Sequence, residues 1–228
     1  RTSAAEGRKP FVEDPNKPHP KALSTDPFLM VGNIKYTDKP YTNGAFSSPT
    51  LVAARRVKVQ IRDAEAPGIS ILLGTAVTGE TGSFLFLVPN NIDTAGNGRD
   101  IFLRVIADST VLVVNDPTSH SQFFDTQTAQ DWQGGFLSMS NVVIGGVARN
   151  LGNIPLANSG PFNIFDVLIK GRDYAIARGV SAALLPKLTT VWGPGYNADN
   201  AGISNYSRIT RLLKIGGLAA DPDEFDDN

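Results

Sequence analysis

The chain has 228 residues with 21 basic and 22 acidic side chains, a formal net charge of −1 and no cysteine. Near-neutrality removes the global field that draws a protein to nucleic acid or an anionic membrane, and the lack of thiols excludes disulfides, thiolate zinc sites and cysteine nucleophiles together. Hydrophobic residues at 41%, charged residues at 19%, 22 glycines and 15 prolines describe a globular chain of many turns and short strands rather than a helical bundle.

Residues 1–27 have the composition of an arm. Pro10, Pro15, Pro18, Pro20 and Pro27 alternate with Arg8, Lys9, Glu13, Asp14, Lys17 and Lys21, and Phe11, Val12 and Leu23 are among the few apolar residues. So little apolar surface cannot fold alone, and the segment is expected to be extended, lying on its own domain or gripping a neighbouring molecule. The first residue is Arg1 rather than Met, which suggests a processed or trimmed chain. No signal peptide is visible, and no run of about 18 apolar residues is present that would span a membrane.

From residue 28 the pattern turns to strands. Phe28–Tyr36 is β-prone, and a polar loop with Pro40, Asn43-Gly44 and Pro49 follows. Arg55–Arg62 alternates strictly, which predicts Val57, Val59 and Ile61 on a buried face and Lys58, Gln60 and Arg62 toward solvent. Ser70–Thr78 and Ser83–Val88 flank Gly79-Glu80-Thr81-Gly82, a pattern that predicts a hairpin. A loop follows Pro89, and Ile101–Ala107 and Thr110–Val114 form another expected pair. Residues 121–125 and 136–144 are further strand candidates. Beyond residue 150, Asn163–Arg178 predicts one helix, with Asn163 as N-cap, Asp166 in the first turn and Gly179 at the end. Leu188–Trp192 and Ser207–Ile215 are predicted strands, and the chain closes on an acidic run, Asp221–Asn228.

These elements predict a mainly β protein: an antiparallel β-sandwich of the transthyretin or immunoglobulin type, with a smaller α+β C-terminal part. The expected organisation is an extended arm over 1–27, a β-sandwich domain over 28–150, and an α+β segment with an acidic tail over 151–228.

Two stretches carry a resemblance. Residues 55–107, with an alternating strand, the turn Gly79-Glu80-Thr81-Gly82-Ser83-Phe84 and a strand ending at Pro89, resemble the carboxypeptidase-regulatory or transthyretin-like β-sandwich. Residues 162–227 are similar to the segment just upstream of the active-site helix in a group of secreted bacterial zinc metallopeptidases. The matching features are the helix around FNIFDVLIKGRDYA, the turn Val191-Trp192-Gly193-Pro194-Gly195 and the acidic run. The family's HExxH is absent, and the histidines are His19 and His120 alone. The resemblance therefore implies a parent polypeptide and no peptidase activity for these 228 residues.

Tests for chemistry point the same way. Two histidines about 100 residues apart lack the one-turn spacing of a zinc site, and neither a G-x-S-x-G elbow nor a phosphate-binding loop is present. Hard-oxygen calcium ligands are the better candidates: Asp93, Asn97 and Asp100 in one loop, and Asp221, Asp223 and Asp226 in the tail. Neither set fits the EF-hand spacing, and turn geometry explains the same residues. Trp132, Trp192, Tyr196 and Tyr206 could line a sugar platform, against the plainer reading of core anchors.

The chain is thus expected not to be an enzyme and to need no cofactor, calcium being the candidate exception. The leading expectation is an extracellular structural protein, a subunit of a fibre, sheath or surface polymer that binds copies of itself by arm exchange or strand addition. Phe11, Val12, Leu23, Phe28 and Met30 are the candidate interface residues. The alternatives are the non-catalytic front portion of a secreted zinc peptidase and a carbohydrate-binding module.

Overall fold

The structure, a computed structural model, describes residues 27–38, 41–42, 45–48, 50–66, 69–89, 99–125, 129–132, 137–144, 148–149, 155–156, 160–193, 196 and 204–216. In chain order its strands are β1 (Phe28–Asp38), β2 (Tyr41–Thr42), β3 (Ala45–Phe46), β4 (Thr50–Ala53), β5 (Lys58–Ala66), β6 (Ile69–Val77), β7 (Ser83–Val88), β8 (Arg99–Ile106), β9 (Leu112–Asn115), β10 (Phe123–Asp125), β11 (Ala129–Trp132), β12 (Leu137–Ile144), β13 (Ala148–Arg149) and β14 (Pro155–Leu156). Helix α1 (Gly160–Ala177), a 3-10 turn at Ala182–Leu184, β15 (Leu188–Val191), β16 (Asn205–Ser207) and β17 (Leu212–Lys214) complete it. The protein is mainly β with one α-helix among the described residues, and no described helix is long and apolar enough to cross a membrane.

The first sheet is built around β1. Along one flank β1 runs parallel to β12, from Met30 opposite Leu137 to Tyr36 opposite Ile144. Along the other it pairs antiparallel with β7 over Phe28–Asn33 and with β4 over Lys35–Asp38. Ile34 fills the gap between those two partners: its N–H donates to Gly82 O at 2.9 Å, and its carbonyl accepts from Ala54 N–H at 3.0 Å. The second sheet, in the order β10-β8-β5-β6 with β11 also on β8, is antiparallel. The third, β16-β17-β15-β9, is mixed, because β9, β15 and β17 run parallel and β16 alone is antiparallel. Parallel pairing of β9 with β15 follows from the crossover through α1 between them.

The alternation in β5 places side chains as its period of two requires. Val57, Val59 and Ile61 are buried, while Lys58, Gln60 and Arg62 are half-buried on the other face. Thr78 is buried too, and its hydroxyl explains why: Oγ1 accepts from Val57 N–H at 3.0 Å and donates to Ala54 O at 2.6 Å.

The turn over residues 79–82 does not make the expected hairpin. It is tight, with Gly79 N–H donating to Ser83 O at 2.8 Å and Gly82 N–H to Gly79 O at 3.0 Å. Yet β6 pairs with β5 in the second sheet and β7 with β1 in the first. The turn carries the chain from one sheet to the other, and Phe86 of β7 packs over Gly74 of β6.

Helix α1 begins at Gly160, three residues before the expected start. Pro161 sits in the first turn, where a missing N–H goes unneeded, and Asn163 is buried within the helix instead of capping it. Phe162, Phe165 and Ile169 form the buried stripe. At the other end Gly179 N–H donates to Ile176 O at 2.9 Å and Val180 N–H to Ala175 O at 3.1 Å, with Gly179 at φ 93°. That is a Schellman end, which glycine's missing Cβ permits.

One cluster of buried residues includes Met30 and Ile34 of β1, Val59 of β5, Leu103 of β8, Phe165 of α1 and Trp192. Residues of α1 and Trp192 thus share this cluster with strands that precede residue 150.

Candidate functional site

Of the residues singled out in the sequence, Phe11, Val12, Leu23, Asp93, Asn97, Asp221, Asp223 and Asp226 lie outside the described residues. Asp100 is on β8, where its backbone N–H donates to Asp63 Oδ1 at 2.8 Å. Among the described residues no three His, Asp or Glu side chains come together as a metal site. Phe28 opens β1 opposite Val88. Met30 is fully buried in the core cluster of the chain, and the strand that carries it is paired along both edges. Trp192 is buried as well, its ring against Gly160, so it cannot serve in an exposed sugar platform.

His120 is exposed on a loop built around Asp116. Asp116 Oδ1 accepts from the backbone N–H groups of Thr118 and His120 at 2.8 and 2.9 Å, and from Thr118 Oγ1 at 2.7 Å. Thr118 Oγ1 also lies 2.8 Å from His120 Nδ1. The hydroxyl gives its proton to the carboxylate, so the three groups close a turn; a nucleophile–base relay would need the imidazole between hydroxyl and acid.

Sequence reasoning missed four buried or half-buried charge clusters, whose members come from distant parts of the chain. Asp166 of α1 receives Tyr36 Oη at 3.1 Å, Lys170 Nζ at 2.7 Å and Arg55 Nε. Burial first, and Asp166 second, push the Tyr36 phenol well above its ordinary range. Asp108 lies between Lys187 Nζ at 2.6 Å and Lys58 Nζ. Burial alone would raise the Asp108 carboxyl, but the bonds from the two lysines outweigh it and hold the group below its ordinary value. Asp63 pairs with Arg99 at 2.5 Å, and there burial dominates and raises the carboxyl. Arg104 grips Asp125 through two bonds of 2.7 Å and stacks on Phe123, 4.1 Å from the ring centroid. In each cluster the carboxylate is matched by the cations of its own chain, an arrangement that ties elements together.

The surface offers a different feature. β6 ends the second sheet, and no described strand pairs with its outer edge. Its sequence, ISILLGTAV, has no charge and no proline. Ile69, Ile71, Leu72 and Val77 are 62%, 40%, 48% and 58% exposed. Beside it β7, SFLFLV, exposes Leu85 and Leu87 at 63% and 57%. Where the end of β6 meets the start of β7, a shallow groove is lined by Val31, Asn33, Val77, Ser83 and Leu85. Long, uncharged edges of this kind present a row of N–H and C=O groups ready to pair with another strand, and folded proteins ordinarily blunt them with charge. The opposite edge of the same sheet is blunted: β10 is three residues long and carries the Arg104–Asp125 pair.

No family model matches the chain, and no curated protein matches it. Two solved structures show remote similarity. A 9R-lipoxygenase from Cyanothece shares 16% identity over 76% of this chain and 26% of its own, with a TM-score of 0.32. A DUF3823 family protein from Parabacteroides merdae shares 12% over 51% of this chain and 45% of its own, with a TM-score of 0.22. This chain thus spans about a quarter of the first and under half of the second, and neither similarity carries an argument about chemistry.

Proposed function

We propose that this chain is a non-catalytic structural protein that works outside the cell by assembling with copies of itself. The open, uncharged β6 edge carries the reading. It is nine residues long, above the usual strand length, and its exposed side chains are aliphatic. A partner strand added there would gain main-chain hydrogen bonds for affinity and apolar contacts for register. The arm over residues 1–27, with Phe11, Val12 and Leu23 as anchors, supplies a second grip on a neighbour. Sedimentation and electron microscopy of the full chain over a range of concentrations test this. Association that grows with concentration is expected, and removal of residues 1–27 should stop higher-order assembly with little change in melting temperature. A monomer at every concentration overturns the reading.

A second reading is that the chain is the non-catalytic front portion of a secreted zinc peptidase. It is favoured by the compact unit of β9, α1, β15, β17 and the antiparallel edge strand β16, since most of that unit comes from the segment that resembles those enzymes. The encoding gene decides it: an in-frame HExxH soon after codon 228 supports this reading, and a stop codon there removes it.

A further inference from the structure

We infer that β6 pairs antiparallel with β6 of a second copy about a two-fold axis, joining two sheets into one; this rests on the reading that the chain self-associates. A two-fold contact sets a surface against itself, so any charge in the strand would meet its like. Ile69–Val77 has none.

The register follows from the faces of β6. Opposite β5, Ala76, Gly74 and Ile71 stand against Val59, Ile61 and Asp63, all buried. Val77, Thr75 and Leu72 stand against Lys58, Gln60 and Arg62 on the outer face. Residues directly opposite in a sheet share a face. A two-fold axis between Leu73 and Gly74 satisfies this along the strand: Leu72 meets Thr75 of the other copy, and Ile71 meets Ala76. The same axis falls on the irregularity in β6, where the register against β5 skips Leu73. Each regular stretch, Ser70–Leu72, then meets the regular stretch Thr75–Val77 of the mate. The pairing sets Ile71, Leu72 and Val77, three of the exposed apolar side chains of the edge, against the mate. Such a contact closes on itself, so it yields a pair; a polymer needs a second, different contact.

The chain's lack of cysteine makes the register testable. Leu72→Cys and Thr75→Cys versions of the full chain, mixed in equal amounts and oxidised, are expected to give a mixed disulfide-linked pair in preference to either variant alone. Sedimentation of Leu72→Lys and Val77→Lys is expected to show pairing weakened by about tenfold or more. Should a lysine variant lose its fold by circular dichroism, the mixed disulfide alone decides. If the unsubstituted chain associates, yet no mixed disulfide forms and the folded lysine variants associate as before, the β6 pairing is wrong while self-assembly stands. If the unsubstituted chain is monomeric throughout, both fall.

Discussion

The ring of Phe86 on β7 lies so close to the backbone of Gly74 on β6 that a Cβ at residue 74 would stand 1.9 Å from Phe86 Cζ. This contact holds the two sheets together beside the open edge. Gly74→Ala is therefore expected to displace the ring, at about 1–3 kcal/mol. Urea unfolding would show it as a lower midpoint with an unchanged slope. An unchanged midpoint would mean that the ring moves aside freely.

Two glycines at positive φ separate backbone strain from crowding. At Gly82, φ is 77° and a Cβ would lie 2.2 Å from Ile34 O, a backbone atom held in the first sheet. At Gly179, φ is 93° and a Cβ would meet nothing within 4 Å. Gly179→Ala is expected to lose about 1 kcal/mol from conformation alone. Gly82→Ala adds a backbone collision and should lose at least about 2 kcal/mol. Equal losses in thermal melts would refute the distinction.

Asp166 is the most deeply buried of the charged groups in its cluster, with its side chain 3% exposed, against 19% for Arg55 and 57% for Lys170. Removing it takes the acceptor from the Tyr36 hydroxyl and leaves the Arg55 guanidinium only its 3.6 Å ion pair with the exposed Glu80. Asp166→Ala should cost about 3–5 kcal/mol, whereas Lys170→Ala should cost no more than about 1 kcal/mol, because water screens that pair. Denaturant titrations of the two variants check the ranking.

Asp108 makes part of the stability depend on acid. Its folded-state carboxyl is held below the ordinary value of 3.8, so its contribution is present above that value and is lost as pH falls through the lowered one. Asp108→Asn is expected to cost roughly 1–3 kcal/mol at pH 6. The gap between variant and parent should shrink on moving toward pH 2. A gap that stays constant with pH would remove the linkage to Lys58 and Lys187.

What could be read from the sequence was local. The period of two across Val57, Val59 and Ile61 fixes which side chains are buried, because one face of a strand either meets the core or does not. The Gly79–Gly82 turn says only that the chain reverses there. It does not say whether the arms bond to each other, and here they leave for different sheets. Asn163 looked like a helix cap because its residue type favours that role, but Pro161 and the apolar stripe beginning at Phe162 carry the helix further back. Asp166 looked like a first-turn acid. Its partners Arg55 and Tyr36 lie 111 and 130 residues away, so no spacing could announce them. The β6 edge was legible as a strand but not as an edge, since edge or centre is decided by which strands fail to arrive.

The parallel pairing of β1 with β12 sets the order of synthesis against the order of assembly. Met30 leaves the ribosome long before its neighbour Leu137, and Ile144 must follow before Tyr36 has its mate on that flank. Until then one flank of an eleven-residue β-prone strand has no native partner. Long-range parallel pairing of this kind folds slowly, on the order of milliseconds to seconds or longer, and leaves the chain open to aggregation meanwhile. In a cell, the nascent chain would need shielding over that interval, and β1, made well before β12, would be completed only when β12 arrives.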